Sequence, residues 1–582
     1  MLKLISNKAV QQLTKGFSQK NIYKMCAASE QAIERDQMEY DVLIVGGGCA
    51  GLSAAIRLKQ LEQKHGREIN VCVIEKGSEI GAHVLSGNSF ECQALDELFP
   101  DWRNMENRPP LDTQCTSDKF MILTENSGIS IPEFLIPKTL HNGGHYIISL
   151  SQLTRWLGEQ AEELGVDVFP ATAGEKVLFD GSTNKVIGIQ TKDLGINKNG
   201  EMKDNFEPGI EILAKQTVFS EGARGSLSEQ IMSKFNLRKN KDPQIYGIGL
   251  KEVWEINPEK FQKGLVQHTV GWPLDPKTYG GSFMYHQSAD QVHVGFVVGL
   301  GYENPFLNPY EEFQRFKTHK YVRNYLEGGR CISYGARAMN AGGYFSIPKL
   351  TFPGGMLAGC SAGFLNVAKI KGAHNAMKSG MVAAESIYDN IEKKDEITDY
   401  EKNLNDSWVI DELKKSRNTK NSFKKGLYGG LFHNFLSIQV LNGKEPWDIR
   451  NNIKDSEHYQ DRHQAKKIEY PKHDGKLTFD LLENLQRSGT NHDHDQPSHL
   501  RIKEDKKESI QKSLKTYGAP ETRFCPANVY EFVDDEANPG EKKLQINAQN
   551  CVHCKTCSIK MVDEYINWTV PESGGGPNYT NL

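Results

Sequence analysis

The sequence lacks any run of the ~18 to 20 apolar residues needed to cross a bilayer, so a membrane contact has to be interfacial. It also lacks an excess of charge of one sign. Its 70 basic residues stand against 74 acidic ones, for a formal net charge of −4, so no global field draws in a nucleic-acid backbone and no nucleic-acid partner is expected. The N-terminal segment has no acid before Glu30, while Lys3, Lys8, Lys15, Lys20 and Lys24 fall within it. Such a basic, hydroxylated segment fits an organelle transit peptide, although the arginine these leaders favour is missing before Arg35. No apolar stretch follows the first lysine, which argues against a secretory signal; a basic tail without function is the alternative. Residues 1–37 are therefore read as a mitochondrial leader or disordered tail and kept out of the fold.

The chain has 582 residues, 38% of them hydrophobic. That is enough to bury a core and long enough for two to four domains of ~150 residues. Eleven cysteines form an odd set in a chain too long to need disulfide stapling. Most are scattered, but Cys525, Cys551, Cys554 and Cys557 crowd together, as in a metal site.

Residues 40–45 (YDVLIV) read as a strand leading into Gly46, Gly48 and Gly51, spaced G-x-G-x-x-G. A helix with Ala54, Ala55, Leu58 and Leu61 at helical spacing follows over 50–64, and a second strand over 70–74 ends at Glu75. Dinucleotide binding requires that order: a tight turn at Gly46, close backbone approach at Gly48, helix–strand packing at Gly51, a helix N-terminus on the pyrophosphate and an acid for the ribose. Gly222-Ala223-Arg224 and the small-residue run 354–363, before a helix over 371–388, favour FAD, though glycines of this kind also punctuate ordinary loops. No second fingerprint occurs in strand context, which argues against a dedicated NAD(P)H domain.

Cys551, Cys554 and Cys557 form C-x-x-C-x-x-C, and Cys525 is followed by Pro526. Three compact cysteines plus a distant Cys-Pro match 4Fe-4S ligation, whereas structural zinc more often uses two separated C-x-x-C pairs. Tyr530 and Thr556 are near enough in sequence to donate hydrogen bonds to cluster sulfurs, or are plain hydroxyls. His492, His494 and His499 look like ligands but stand in a charged stretch and read as solvated or packing residues. A flavin and a cluster in one chain imply electron transfer.

Two stretches face a membrane or else belong to the core. Residues 427–441 carry Leu427, Tyr428, Leu431, Phe432, Phe435, Leu436, Ile438 and Val440 at largely helical spacing. Such a helix would measure about 22 Å, short of the ~30 Å hydrocarbon core, so it can lie in the interface but not span it. Residues 129–140 (ISIPEFLIPKTL) form an apolar loop broken by two prolines. From 451 to 522 the composition turns charged, with interleaved apolar residues that should pack on the body.

The stretches 271–286 (GWPLDPKTYGGSFMYH), 346–380 (SIPKLTFPGGMLAGCSAGFLNVAKIKGAHNAMKSG) and 544–557 (LQINAQNCVHCKTC) closely resemble the mitochondrial electron transfer flavoprotein-ubiquinone oxidoreductases, and the resemblance runs from about residue 38 to the end. It implies an α/β fold with an FAD-binding Rossmann-like domain interwoven with a ubiquinone-binding α+β domain over 38–450. A connecting region over 451–522 and a ferredoxin-like 4Fe-4S module over 523–582 would follow. It also implies FAD held at Gly46, Gly48, Gly51, Glu75, Gly359 and Gly363, ubiquinone met by Tyr279, Gly280 and Gly281, and a cluster on the four cysteines. Electron transfer flavoprotein, ubiquinone and the matrix face of the mitochondrial inner membrane are the partners implied, for a monotopic monomer. Ser558 stands where the family usually has an acid, and Glu221-Gly222 replaces a common Asp-Gly with the carboxylate kept. A flavin-dependent hydroxylase or prenyl-lipid reductase with a ferredoxin-like module is the enzymatic rival. A non-catalytic prenyl-binding protein like the Rab escort proteins is the other, and the intact glycine fingerprint and Glu75 speak against it.

Overall fold

A computed structural model of the chain describes residues 33–87, 89–288 and 290–582. The basic segment over 1–32 lies outside the described residues, but the fold begins before residue 38. Arg35 pairs with Asp193 and donates to the Gly209 carbonyl at 2.7 Å, and Gln37 opens the first strand.

Two sheets organise the chain. The first has eight strands; along its main path they are Thr351–Phe352, Gly355–Leu357, Glu211–Phe219, Gln37–Val45, Val71–Ile74 and Asp167–Phe169. Four successive pairings, from Gly355–Leu357 across to the edge strand Asp167–Phe169, are parallel. Val42, Leu43 and Ile44 are fully buried, as a strand covered on both faces requires. Helix Cys49–His65 covers this sheet and ends where Gly66, at φ +73°, takes the left-handed cap and donates to the Glu62 carbonyl at 2.7 Å. It packs against helix Ala373–Asn390 at a distance only glycine permits: a Cβ on Gly380 would stand 2.1 Å from the Ala50 carbonyl oxygen.

The second sheet has seven strands in the order Arg330–Asn340, Tyr246–Glu255, Gln291–Gly299, Gly280–His286, Leu265–Gly271, Ser117–Leu123 and Gly128–Ser130. All its pairings are antiparallel except that of Leu265–Gly271 with Ser117–Leu123. Its core runs without a break from Trp254, Phe296 and Phe313 through Tyr334 into the C-terminal region, where it takes in Tyr530 and the four clustered cysteines. The C-terminal region therefore shares its core with this sheet. The charged connecting region is tied to the same body. The Asp455 carboxylate accepts from the Tyr246 N–H at 2.8 Å, the Tyr310 hydroxyl donates to the Phe479 carbonyl at 2.8 Å, and Asn484 donates to Glu252 at 2.8 Å.

The apolar stretch over 427–441 is an α-helix only as far as Gly426–Asn434, and then widens into a π-helical turn over Phe435–Val440. The buried Asn434 amide donates to the Gly430 carbonyl at 2.9 Å and to Ser422 at 3.2 Å at the junction. Leu441 then bonds back five residues to Leu436 at 2.9 Å. No helix among the described residues is long and apolar enough to cross a membrane.

Candidate functional site

The glycine fingerprint opens on a cavity of about 300 Å³ lined by Gly46, Gly48, Glu75, Lys76, Gly222 and Arg337 among others. The three glycines serve different needs. Gly46 has φ +107° and no room for a side chain, since a Cβ would stand 2.7 Å from the Ser220 carbonyl oxygen. On Gly51 it would stand 2.2 Å from the Gly46 carbonyl oxygen. A Cβ on Gly48 meets nothing within 4 Å, because that position faces the open cavity at the start of helix Cys49–His65. This is the cradle a pyrophosphate needs: bare backbone beside a helix N-terminus. Glu75 is held at the rim by the N–H groups of Gly47 at 3.0 Å and Gly77 at 2.8 Å. Gly359 and Gly363 stand outside the lining, at φ +63° and +89°, with Cβ positions blocked by Ala50 and Gln244, whereas Cys360 between them lines the cavity. Glu221 accepts from the N–H groups of Leu227 at 3.1 Å and Ser228 at 2.6 Å, so its carboxylate caps helix Ser226–Lys234.

A second cavity, about 320 Å³ and almost wholly apolar, lies beside the first and shares Phe283, Val297, Met339, Leu365 and Ile370 with it. Tyr279, Gly280 and Gly281 line it, and so do residues of both apolar stretches: Leu135, Ile136 and Leu140 from one, Leu431, Phe435 and Ile438 from the other. The glycines here are dictated by neighbouring strands, since a Cβ on Gly280 would stand 2.3 Å from the Val297 carbonyl oxygen and one on Gly281 2.8 Å from that of Thr269. Outside the cavity the same two stretches expose Ile129 at 63%, Phe134 at 76%, Tyr428 at 64% and Phe432 at 71%. They touch where the Lys138 N–H donates to Gln439 at 3.3 Å.

Cys525, Cys551, Cys554 and Cys557 converge on one small buried void with Tyr530 and Thr556. Burial pushes all four thiols above the usual range, Cys557 to about 12, so these donors ionise only against the charge of a bound metal. Cys554 Sγ is 3.4 Å from Thr556 Oγ1. The buried Tyr530 hydroxyl and Trp568 indole N–H make no conventional hydrogen bond; each stands by a thiol, Cys557 and Cys551 respectively, and offsets only part of the rise that burial gives it. Four convergent sulfurs with unspent donors beside them fit a cluster.

The void and the nucleotide cavity are neighbours. The Ala338 N–H donates to the Cys554 carbonyl at 2.9 Å, and Ala338 lines the cavity. Lys76, also in the lining, has Nζ 2.8 Å from His83 Nδ1 and 3.2 Å from Nδ1 of His553, which sits between Cys551 and Cys554; burial lowers the Lys76 pKa to about 8. Lys76, His553 and Trp568 escaped the sequence reading, because nothing in a lone lysine, histidine or tryptophan signals a contact across the fold. His492 and His499 pack with His553, ring centroids 5.0 and 5.5 Å away, whereas His494 is exposed. These three imidazoles could together hold a metal ion, but the ammonium of Lys76 touches one of them and opposes a cation there.

Comparison with known proteins agrees with this arrangement. Residues 246–339 match the model "ETF-QO, ubiquinone-binding", 475–580 match "Electron transfer flavoprotein-ubiquinone oxidoreductase, 4Fe-4S", and 41–97 match "FAD dependent oxidoreductase". The chain is 52% identical to the mitochondrial electron transfer flavoprotein-ubiquinone oxidoreductase of Arabidopsis thaliana over 557 residues, covering 95% of this chain and 86% of that one. It belongs to that family. The Homo sapiens relative is also 52% identical, over 564 residues, with 94% of this chain and 90% of that one covered. Among solved structures, a geranylgeranyl bacteriochlorophyll reductase-like protein from Thermoplasma acidophilum is similar at 18% identity and TM-score 0.49, over 70% of this chain and 99% of that one. Membership of the family and the matched models make the chain an α/β oxidoreductase whose cofactors are FAD and a 4Fe-4S cluster. The three models fit the quinone oxidoreductase reading and not the hydroxylase or prenyl-lipid reductase one.

Proposed function

We propose that this chain accepts electrons from reduced electron transfer flavoprotein and reduces ubiquinone to ubiquinol, seated as a monotopic monomer on the matrix face of the mitochondrial inner membrane. The observation that carries the proposal is the apolar cavity. It adjoins the nucleotide cavity, and both apolar stretches line it with one part of their length and leave another part exposed. A quinone with a long isoprenoid tail needs such a site, with the head group near the redox centre and the tail at a lipid surface.

The residues have distinct parts in this reading. Gly46 and Gly51 keep strand, turn and helix close, Gly48 clears space for the pyrophosphate of FAD, and Glu75 faces the ribose. Gly359 and Gly363 shape the turn that presents Cys360 to the cavity. Tyr279, Gly280 and Gly281 form part of the wall on which the quinone head group rests. Cys525, Cys551, Cys554 and Cys557 hold the cluster, with Tyr530, Thr556 and Trp568 directed at its sulfurs. When bound, FAD supplies exchange between one- and two-electron chemistry and the cluster supplies one-electron transfer. The cysteine region shares its core with the seven-stranded sheet, whose strand Arg330–Asn340 reaches the nucleotide cavity at Arg337 and Ala338.

Spectroscopy of the purified chain tests the cofactor sites, since flavin bands and a broad iron–sulfur shoulder should appear together. Anaerobic addition of reduced electron transfer flavoprotein should then bleach both, and a short-chain ubiquinone should restore them. Bleaching by NADH alone, without the protein donor, refutes the proposed donor.

A further inference from the structure

His268 and Tyr285 stand in the wall between the two cavities. His268 lines the apolar cavity, Tyr285 lines the nucleotide cavity, and His268 Nε2 lies 2.6 Å from Tyr285 Oη with both residues buried. The antiparallel register explains the meeting. His268 is opposite Phe283 and Val266 is opposite Tyr285, so all four side chains share one face of the sheet. Ring contacts hold them there, at 5.4 Å for His268 with Tyr285 and 4.7 Å for Phe283 with Tyr285.

The apolar cavity offers few proton donors. Among the described residues that line it there is no carboxylate or ammonium group, His268 is the one imidazole, and burial raises the phenols of Tyr246 and Tyr279 to about 12. The Thr269 and Ser282 hydroxyls in its wall bond to each other at 2.5 Å. Burial lowers His268 to about 3 and raises Tyr285 well above the usual range, so both rest neutral near pH 7. In the tautomer that carries the ring proton on Nδ1, the neutral phenol donates to Nε2 across this contact. Charged and titratable groups surround the pair on both sides. Lys371 faces His268, while Asp118 and Cys115 face Tyr285. Asn142 links Lys371 and Asp118, accepting from Lys371 Nζ at 2.8 Å and donating its N–H to Asp118 at 2.7 Å. Asp118 is half-buried, so this network reaches toward solvent.

We propose that His268 gives a proton to one oxygen of the bound quinone and that Tyr285 is the positioning residue that fixes its tautomer and resupplies it; this rests on reading the apolar cavity as the quinone site. Quinone reduction consumes two electrons, which come from the protein donor, and two protons. For one of these, the His268 Nδ1–H bond breaks as an O–H bond forms on the quinone, and the Tyr285 hydroxyl proton moves to Nε2. The phenolate left behind takes a proton from water on the Asp118 side, and the imidazole tautomerises back through water after the quinol leaves. The pair ends unchanged, with one proton moved from water to product.

The test uses the full-length protein with its cofactors and a short-chain ubiquinone. Its readouts are the calorimetric Kd for the oxidised quinone, the rate of cofactor reduction by the donor flavoprotein, and kcat in H2O and D2O. His268→Gln should lower kcat by about 100-fold or more, the usual scale of a general acid, with Kd and the donor-side rate within about threefold of wild type. Tyr285→Phe keeps the ring and its stacking on Phe283. It should lower kcat about tenfold or more and change the solvent isotope effect, and it carries the test if the histidine variant does not fold. Wild-type kcat in either variant, or a fall in kcat matched by an equal loss of quinone affinity, overturns the assignment. Failure of the wild type to bind quinone overturns the reading of the cavity itself, and the assignment with it.

Discussion

Replacing Phe134 and Phe432 together by glutamate should detach the protein from lipid. The two rings belong to segments far apart in sequence, are 76% and 71% exposed, and stand outside the lining of the apolar cavity. A phenylalanine offers about 150 to 250 Å² for burial, so each ring still has roughly 150 Å² to give. At ~25 cal/mol per Å², full burial is worth about 3.8 kcal/mol per ring, and burial to half depth in the interface about 2 kcal/mol. The pair then contributes about 4 kcal/mol, close to a thousandfold in partition coefficient. The carboxylates add a further penalty for entering lipid. Flotation of the wild type and the double variant with liposomes of inner-membrane composition measures this directly. Reduction of a short-chain, water-soluble ubiquinone should stay at the wild-type rate, since neither side chain reaches the cavity. Phe435 is unsuited to this test because it lines the cavity and its replacement confounds lipid binding with quinone binding. Liposome partition of the double variant within threefold of wild type refutes the argument and leaves these rings as ordinary exposed residues.

Cys554→Ala should abolish the electron paramagnetic resonance signal of the reduced cluster while flavin absorbance persists, and an unchanged spectrum overturns its assignment as a ligand. Gly51→Ala should destabilise the fold by about 1 to 3 kcal/mol, because its Cβ has only 2.2 Å to the Gly46 carbonyl oxygen. Gly48→Ala should melt like the wild type but purify with at least tenfold less flavin, and equal flavin content in Gly48→Ala removes the cradle from the argument. Glu229 lies between Arg224, at 3.0 Å, and Arg238. Burial raises its pKa, but the two guanidinium groups prevail and hold it down at about 2, against an ordinary 4.5. A depressed carboxylate contributes stability above its unfolded pKa and loses it as pH falls toward the folded value. Melting temperature should therefore drop between pH 5 and pH 2, with a smaller drop in Glu229→Gln measured by the same thermal scan. Arg224 also donates to the Ser558 carbonyl at 2.6 Å, so acid should loosen the cysteine loop along with this ion pair.

Local chemistry was enough to place the strand, glycine turn, helix and acid around Gly46 to Glu75, because each is set by neighbours a few residues away. The compact C-x-x-C-x-x-C likewise announced a metal site, since spacing alone makes three sulfurs available to one centre. The apolar stretches were recognisable by pattern, but pattern could not separate core from lipid contact. Only their packing shows that one segment is divided, with Phe435 turned to a cavity and Phe432 left exposed. The break from α- to π-helix at Phe435 was likewise hidden, because it depends on the buried Asn434 amide and its partners in the preceding turns. Tertiary structure alone brought Lys76 to His553, Ala338 to Cys554 and His268 to Tyr285. Contacts between distant segments are chosen by the packing of whole sheets and leave no mark in local composition. The missing membrane span and near-zero net charge were thus determined by the sequence itself, being sums over residues. Where the two cavities meet, and what lies in the wall between them, had to await the fold.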